Sequence, residues 1–297
     1  MLIMKGRRPI KKFIVGMFIA VIILICCFGI ARTADIKVNN GFSVEEKTIP
    51  VLMYHNISNN VTSENVTPEK YLDDMMTLKK AGYTAIFFSD LVGYLKGQNS
   101  LPAKPVIITF DDGYYSNYEY AYPIAQKTNM KFTISVIGWS IGRNTFINSN
   151  KSIIPHFGWD EMKEMYDSGF VDIQCHTFDL HSPEGLSNGY ATPVGQGVMP
   201  LKNETFENYQ SRIQKDLTMF NDLIDKHLGY RTTFLFYPYG VHNQDTESIV
   251  SEFDFTGTVT IEEGVRTFSN LADLYEIPRI NVSNDLKGQD LINKIEP

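Results

Sequence analysis

Cysteine is scarce: the 297 residues hold three, with Cys26 and Cys27 adjacent inside an apolar run and Cys175 alone. The folded part can therefore form no intrachain disulfide and no zinc site built from cysteines. An excess of positive charge is also missing, because 27 Lys and Arg against 34 Asp and Glu leave a formal charge of -7. No global field exists to hold a phosphate backbone, which argues against nucleic acid as a partner. No Gly-x-Gly-x-x-Gly follows the first strand-like run, and no Gly-rich loop closes on Lys-Ser or Lys-Thr, so dinucleotide and nucleotide-phosphate chemistry are disfavoured. No internal repeat is visible. What remains is ordinary globular composition, 43% apolar and 21% charged, with enough chain for one large domain.

One long hydrophobic run stands apart. Lys5, Arg7, Arg8, Lys11 and Lys12 precede 19 uncharged residues, Phe13 to Ala31, enough to cross roughly 30 Å of hydrocarbon as a helix. The basic flank, residues 1–12, is expected to stay in the cytoplasm. Segment 13–31 then reads as a transmembrane anchor, unless cleavage after Gly29-Ile30-Ala31 makes it a signal peptide and the domain a secreted one. Either way the rest of the chain lies outside the cytoplasm. Residues 32–48 are polar and weakly patterned, a linker, and 49–297 read as a single domain, expected to act as a monomer.

Strand and helix signals alternate from Pro50 onward. Pro50 to Tyr54, Pro105 to Phe110, Phe132 to Ile137, Phe170 to Cys175, Phe234 to Tyr237, Phe255 to Val259 and Glu276 to Ile280 are strand patterns. Thr67-Pro68 opens a helix that stops near Gly82; Tyr115 to Thr128, Trp159 to Ser168 and Phe206 to Gly229 carry helical stripes. Ser182 to Leu201, with four Gly and three Pro, is a long internal loop. About seven strands alternating with helices predict a parallel sheet covered by helices, a barrel or distorted barrel in preference to an open doubly wound sheet, with reactive residues at the C-terminal strand ends.

Four of those ends carry chemistry: Tyr54-His55-Asn56, Thr109-Phe110-Asp111-Asp112-Gly113, Cys175-His176-Thr177-Phe178-Asp179-Leu180-His181, and Tyr237-Pro238-Tyr239-Gly240-Val241-His242. Adjacent carboxylates repel and lose hydration when buried, so Asp111 and Asp112 ask for a cation. One of the pair can bind an ion while the other works on a nearby water. A turn between His176 and His181 can bring both imidazoles to that ion. One Asp and two His are three ligands with a position left for water, the pattern of a catalytic zinc site.

At these residues the sequence resembles the NodB-homology polysaccharide deacetylases, carbohydrate esterase family 4, over Ile49 to Ile280. Thr109 to Gly113 looks like that family's first motif, which implies Asp111 as catalytic base and Asp112 as metal ligand. His176-Thr177 begins the second, whose histidines usually stand four apart; the spacing of five to His181 is similar to the branch that deacetylates poly-N-acetylglucosamine, as is Pro50 to Ile57. Asp179 is the alternative third ligand. Pro238-Tyr239-Gly240 looks like the third motif, a wall of the substrate groove. The resemblance implies a distorted (β/α)7-type barrel behind the N-terminal helix, and a divalent metal, zinc first, with cobalt, nickel or manganese also accepted by His and carboxylate ligands.

Two departures stand out. The family's Arg that steadies the base would fall at Phe236, so Arg279 on the last strand is the substitute, and no late His stands ready to protonate the leaving amine. His55, then His242, are the candidate general acids, while His156 and His227 read as surface residues. The Tyr114 amide is a candidate oxyanion donor, and Tyr237, Tyr239, Trp139 and Trp159 are candidate sugar-stacking residues.

The implied activity is metal-dependent removal of N-acetyl groups from N-acetylglucosamine units of an extracellular polysaccharide, poly-N-acetylglucosamine before peptidoglycan. The alternative is a glycan-binding module that has lost turnover, against which Asp111 speaks, since a binder needs no base beside the metal. A glycoside hydrolase fits poorly, because neighbouring Asp residues cannot flank a bond at the roughly 5 Å or more that chemistry needs. A glycan on the Asn56 sequon would block the mouth beside His55, which points to a cell that leaves such sequons unmodified, most simply a bacterium.

Overall fold

The computed structural model describes residues 44–60, 62, 65–147, 149–181 and 197–296. The expected anchor 13–31, its basic flank and most of the linker lie outside them, as do residues 182–196 of the long loop. No helix among the described residues is long and apolar enough to cross a membrane.

Seven parallel strands close into a barrel in chain order: β1 Val51–Tyr54, β2 Pro105–Phe110, β3 Phe132–Val136, β4 Val171–Cys175, β5 Phe234–Phe236, β6 Gly257–Glu263 and β7 Ile277–Asn281. Closure comes from β1, which pairs with both β2 and β7. Around it lie α1 Pro68–Lys80, α2 Phe88–Leu95, α3 Tyr122–Thr128, α4 Trp159–Asp167, α5 Phe206–Leu228, α6 Gln244–Ser251 and α7 Gln289–Ile295. All six residues of β2 are buried, as a strand covered on both faces requires.

The two faces divide by alternation. Leu52, Tyr54, Ile108, Phe110, Ile134 and Leu235 face outward and pack with Met75, Met162 and Leu217 of α1, α4 and α5. Val51, Ile107, Phe234, Phe236, Val259 and Ile277 pack in a second core inside the barrel, closed by Phe88 of α2, whose ring stacks on Phe234 at 4.5 Å. The same period of two puts Thr109, Ser135 and Arg279 on the inner face, with Asp111 and His176 one step past the ends of β2 and β4. The barrel interior is thus apolar below and polar above.

Local signals explain most boundaries. The Thr67 hydroxyl accepts from the Lys70 amide at 3.1 Å and Pro68 fills the first helical position of α1. Gly229 ends α5 with φ +76°, a left-handed cap. Other expectations need correction. The stretch read as a helix from 115 to 128 is helical throughout, with a π-helical turn, Asn117–Ala121, leading into α3. Helices α2, α6 and α7 are short and gave no strong stripe, and β6 starts two residues late and runs on to Glu263. The linker is shorter than 32–48, because Lys47–Ile49 pairs antiparallel with Arg266–Phe268; this polar edge strand lacks the apolar run by which buried strands are recognised.

Candidate metal centre and active site

Asp111 continues the inward alternation of β2, whereas an extended Asp112 would face the helices. A left-handed turn prevents this: Asp112 has φ +74° and Gly113 +84°, and the Gly113 amide donates back to the Asp111 carbonyl at 3.0 Å. A side chain on Gly113 would meet Val136 Cγ1 at 3.0 Å. Both carboxylates therefore open on one mouth. Thr177 (φ +68°) and Tyr239 (φ +58°) are left-handed too; such strained residues cost on the order of 1–3 kcal/mol each and cluster where function needs them.

Asp112 Oδ1 stands 3.4 Å from His176 Nε2 and 3.3 Å from His181 Nε2. It is buried and has no hydrogen-bond partner. Ligands 2.0–2.1 Å from one ion at tetrahedral angles stand about 3.3–3.4 Å apart, so an orphaned carboxylate oxygen and two imidazoles at this spacing fit a divalent cation. His176 Nδ1 donates to the Phe236 carbonyl at 2.9 Å, which leaves the lone pair of Nε2 for the ion. Burial alone would raise the Asp112 carboxyl, but the charges of His181 and then His176 hold it well below the usual carboxylate range. Asp179 is not in the ligand cluster; its amide instead helps to fix the turn.

That turn is pinned from α5. Asp216 accepts from the amides of Phe178 and Asp179 at 2.7 and 2.8 Å, and Gly138 donates its amide to the Thr177 carbonyl at 3.0 Å. Burial pushes the Asp216 carboxyl up to about 7.

Asp111 lies at the end of a buried polar chain. Arg279 donates from Nη1 to Oδ1 at 2.8 Å and from Nη2 to Oδ2 at 2.7 Å, and Ser135 Oγ adds a bond to Oδ1 at 2.8 Å. Arg279 is wholly buried; two of its three remaining donors reach the Thr260 carbonyl at 2.7 Å and Thr109 Oγ1 at 3.1 Å. Burial would raise Asp111, yet Arg279, followed by His176 and His55, keeps it far below the carboxylate range. His55 Nε2 lies 3.8 Å from Asp111 Oδ2, and the buried Asn117 holds the His55 carbonyl at 2.9 Å.

The other sequence candidates divide. Tyr239 is 39% exposed and tilts against the His181 ring at 4.5 Å. Tyr237 and Pro238 are buried and cannot offer a face to a sugar. Trp139 packs on Phe146, and Trp159 lies flat on His227 at 3.9 Å, each half-buried against core or histidine. The Tyr114 ring tilts against His156 at 5.1 Å. His242 bonds the Gly240 carbonyl and Glu276. His156, read as a surface residue, is half-buried, and burial pushes it down to about 4. The sequence reading missed Ser135, Asp216 and Asn117. Ser135 was findable by alternation from Thr133, and Asp216 as the one acid on the buried stripe of α5; nothing marked Asn117.

Comparison with known proteins agrees with this geometry. The polysaccharide deacetylase family model matches residues 98–258. A Bacillus subtilis (strain 168) protein named as a polysaccharide deacetylase is 30% identical over 240 residues, 81% of this chain and 73% of that protein. The poly-beta-1,6-N-acetyl-D-glucosamine N-deacetylase of Staphylococcus epidermidis is 28% identical over 77% of this chain and 71% of its own. Among solved structures, a Streptococcus pyogenes deacetylase bound to acetate shares the fold with TM-score 0.64 at 24% identity, over 85% of this chain and 100% of that one. IcaB from Ammonifex degensii does so with TM-score 0.67 at 23%, over 84% and 97%.

Proposed function

Because the chain belongs to the polysaccharide deacetylase family, we propose that it is a metal-dependent N-deacetylase acting on N-acetylglucosamine units of an extracellular polysaccharide, poly-β-1,6-N-acetylglucosamine before peptidoglycan. The observation that carries this reading is the ionised, inward-facing Asp111, gripped by Arg279 beside the Asp112, His176 and His181 ligand set. A binding module has no use for a buried carboxylate beside its ion, since it costs desolvation and yields no affinity. The named activity of the staphylococcal relative supports the choice of polymer.

Asp112, His176 and His181 would hold the ion, zinc first, with cobalt, nickel or manganese compatible with the same donors. When bound it supplies Lewis acidity to the acetyl oxygen and to a water. Asp111, as base, takes a proton from that water as its oxygen forms a bond to the acetyl carbon. Arg279 and Ser135 fix the carboxylate without competing for the proton-accepting lone pair. His176, whose Nδ1 is held by the Phe236 carbonyl, presents Nε2 toward Asp112 and is oriented by the strand beside it. His55 protonates the leaving nitrogen as the amide C–N bond breaks, giving acetate and the free amine; its 3.8 Å distance from Asp111 supports an acid and a base that serve one reacting centre. Tyr239 is the exposed ring beside His181 and stacks on the sugar.

The basic flank and uncharged segment 13–31 support a single-pass anchor with the barrel outside the cell. The test is acetate release from N-acetylglucosamine oligomers and from peptidoglycan by the zinc-loaded protein beside Asp111→Asn. Release that needs Asp111 and stops with chelator is expected; metal binding without release from either polymer overturns the enzyme in favour of the binding module.

A further inference from the structure

A second set of metal-ligating groups lies beside the first and takes no part in the reaction above. His242, Glu247 and Glu276 each offer a ligand atom, all within 4.8 Å of one another. They come from three elements: the turn after β5, the first turn of α6, and the residue before β7. The register that aligns Phe236 with Val259 and Val259 with Ile277 brings them level.

Each donor is oriented. His242 Nδ1 bonds the Gly240 carbonyl at 3.0 Å and so carries the proton, which leaves the Nε2 lone pair facing Glu276 Oε1 at 3.2 Å. Two acceptors at that distance repel unless a proton or a cation lies between them. One hydroxyl sets both carboxylates: Thr258 Oγ1 donates to Glu247 Oε1 at 2.7 Å and accepts from the Glu276 amide at 2.7 Å. Holding Glu276 there takes a left-handed backbone, φ +55°.

A second sign of a ligand is a buried phenol and carboxylate that are not well satisfied by one another. Glu247 Oε2 and the hydroxyl of the fully buried Tyr237 are each other's neighbours, yet neither reaches a hydrogen bond of good geometry. That tyrosine lies against Glu247 and stacks flat on His242, 4.9 Å between rings. An open cleft of about 450 Å³, lined in part by Glu247 and Glu276, gives an ion a way in.

We propose that His242, Glu247 and Glu276 form a second divalent-cation site, for zinc or a similar first-row ion, distinct from the catalytic centre. One imidazole and two carboxylates with an open position for water suit such an ion. The site ties the turn 237–242 to the start of β7. That turn carries Tyr239, whose ring touches His181, and β7 carries Arg279, so the ion would brace two walls of the active site from behind.

The test is a metal count. The full chain is stripped with chelator, dialysed against zinc and assayed for bound zinc per chain. The unaltered protein is expected to bind two equivalents. The Asp112→Asn/His176→Ala double variant should keep one, and the X-ray absorption spectrum of that zinc should show one imidazole among oxygen ligands. Glu276→Gln, at a half-exposed side chain that leaves the core intact, should weaken the second equivalent at least about tenfold and spare the first; His242→Ala, checked for folding by circular dichroism, should do the same. One equivalent in the unaltered protein, no zinc on the double variant, or a second equivalent indifferent to both Glu276→Gln and His242→Ala overturns the proposal. None of these outcomes depends on acetate release, so the deacetylase reading stands or falls separately.

Discussion

Arg279 Nη1 and Nη2 close on Asp111 Oδ1 and Oδ2 at 2.8 and 2.7 Å across 168 residues of chain. This joins the last barrel strand to the second and fixes the carboxylate plane. A planar fork meets a carboxylate with two parallel bonds, whereas an ammonium makes one. Arg279→Lys is therefore expected to lower kcat about 10- to 100-fold and to raise the acid limb of the kcat/KM profile, because Asp111 loses the group that depresses it. The sign is that of a carboxylate whose folded value is lowered: its contribution is present at neutral pH and disappears as pH falls. Arg279→Ala leaves a buried charge unpaired and should cost about 3–5 kcal/mol. Unaltered stability and an unmoved acid limb in Arg279→Lys would show that the pair does not steady the base.

Most of this centre is legible in sequence because barrel geometry gathers strand ends. Asp111, Asp112, His176 and His181 sit just past apolar runs, and the period of two dictates which residues face inward. Arg279 could be singled out because a charged residue inside the buried run Ile277 to Ile280 demands a partner. Tyr237 and the tryptophans are harder to assign for the opposite reason: an aromatic at a strand end is equally at home under the mouth, and only packing decides. Asp216 and Asn117 act through backbone groups of other segments, and no local pattern encodes a bond to an amide 38 residues away. Short helices such as α2 carry too few turns for a stripe to rise above composition.

His55 supplies the proton in the proposed reaction, and Asn117 holds its backbone. His55→Ala should lower kcat about 10²- to 10⁴-fold, with KM nearly unchanged and metal content intact. The loss should shrink on substrates whose leaving group needs no protonation, such as an activated acetyl ester that expels a stabilised phenolate oxygen in place of the amine. Equal loss on ester and amide would assign His55 to binding and remove it as the acid.

Gly138 is held against the ligand turn by its bond to Thr177. A Cβ there would meet Phe178 Cδ2 at 2.6 Å and Phe178 Cα at 3.1 Å, so Gly138→Ala must push the backbone that spaces His176 from His181. Zinc affinity at the catalytic site is expected to fall about 10- to 100-fold, more than global stability, which equilibrium dialysis and thermal unfolding can separate. Wild-type affinity in the variant would mean that the Phe178 ring yields without moving the ligands.

Asp216 gives the protein a pH dependence that can be read by difference. Its folded value is about 7 against 3.8 for the ordinary carboxyl, raised by burial despite the two amide bonds it accepts. Between these values the folded chain keeps a proton that the unfolded chain has released, so stability falls as pH rises through the window and levels off above it. His156 works in the opposite sense, since burial lowers it to about 4 from 6.5 and stability gains as pH rises between those points. The two would blur in a single titration. Asp216→Asn removes only the first and keeps His156, so the difference in Tm between variant and parent isolates the carboxyl. The parent should lose ground to the variant from pH 4 to 7 and hold a constant offset beyond about pH 8. A flat difference across that range would mean that Asp216 is ionised throughout and that its two amide donors outweigh burial. The pinning of the Phe178–Asp179 turn would then be as firm at pH 4 as at pH 8.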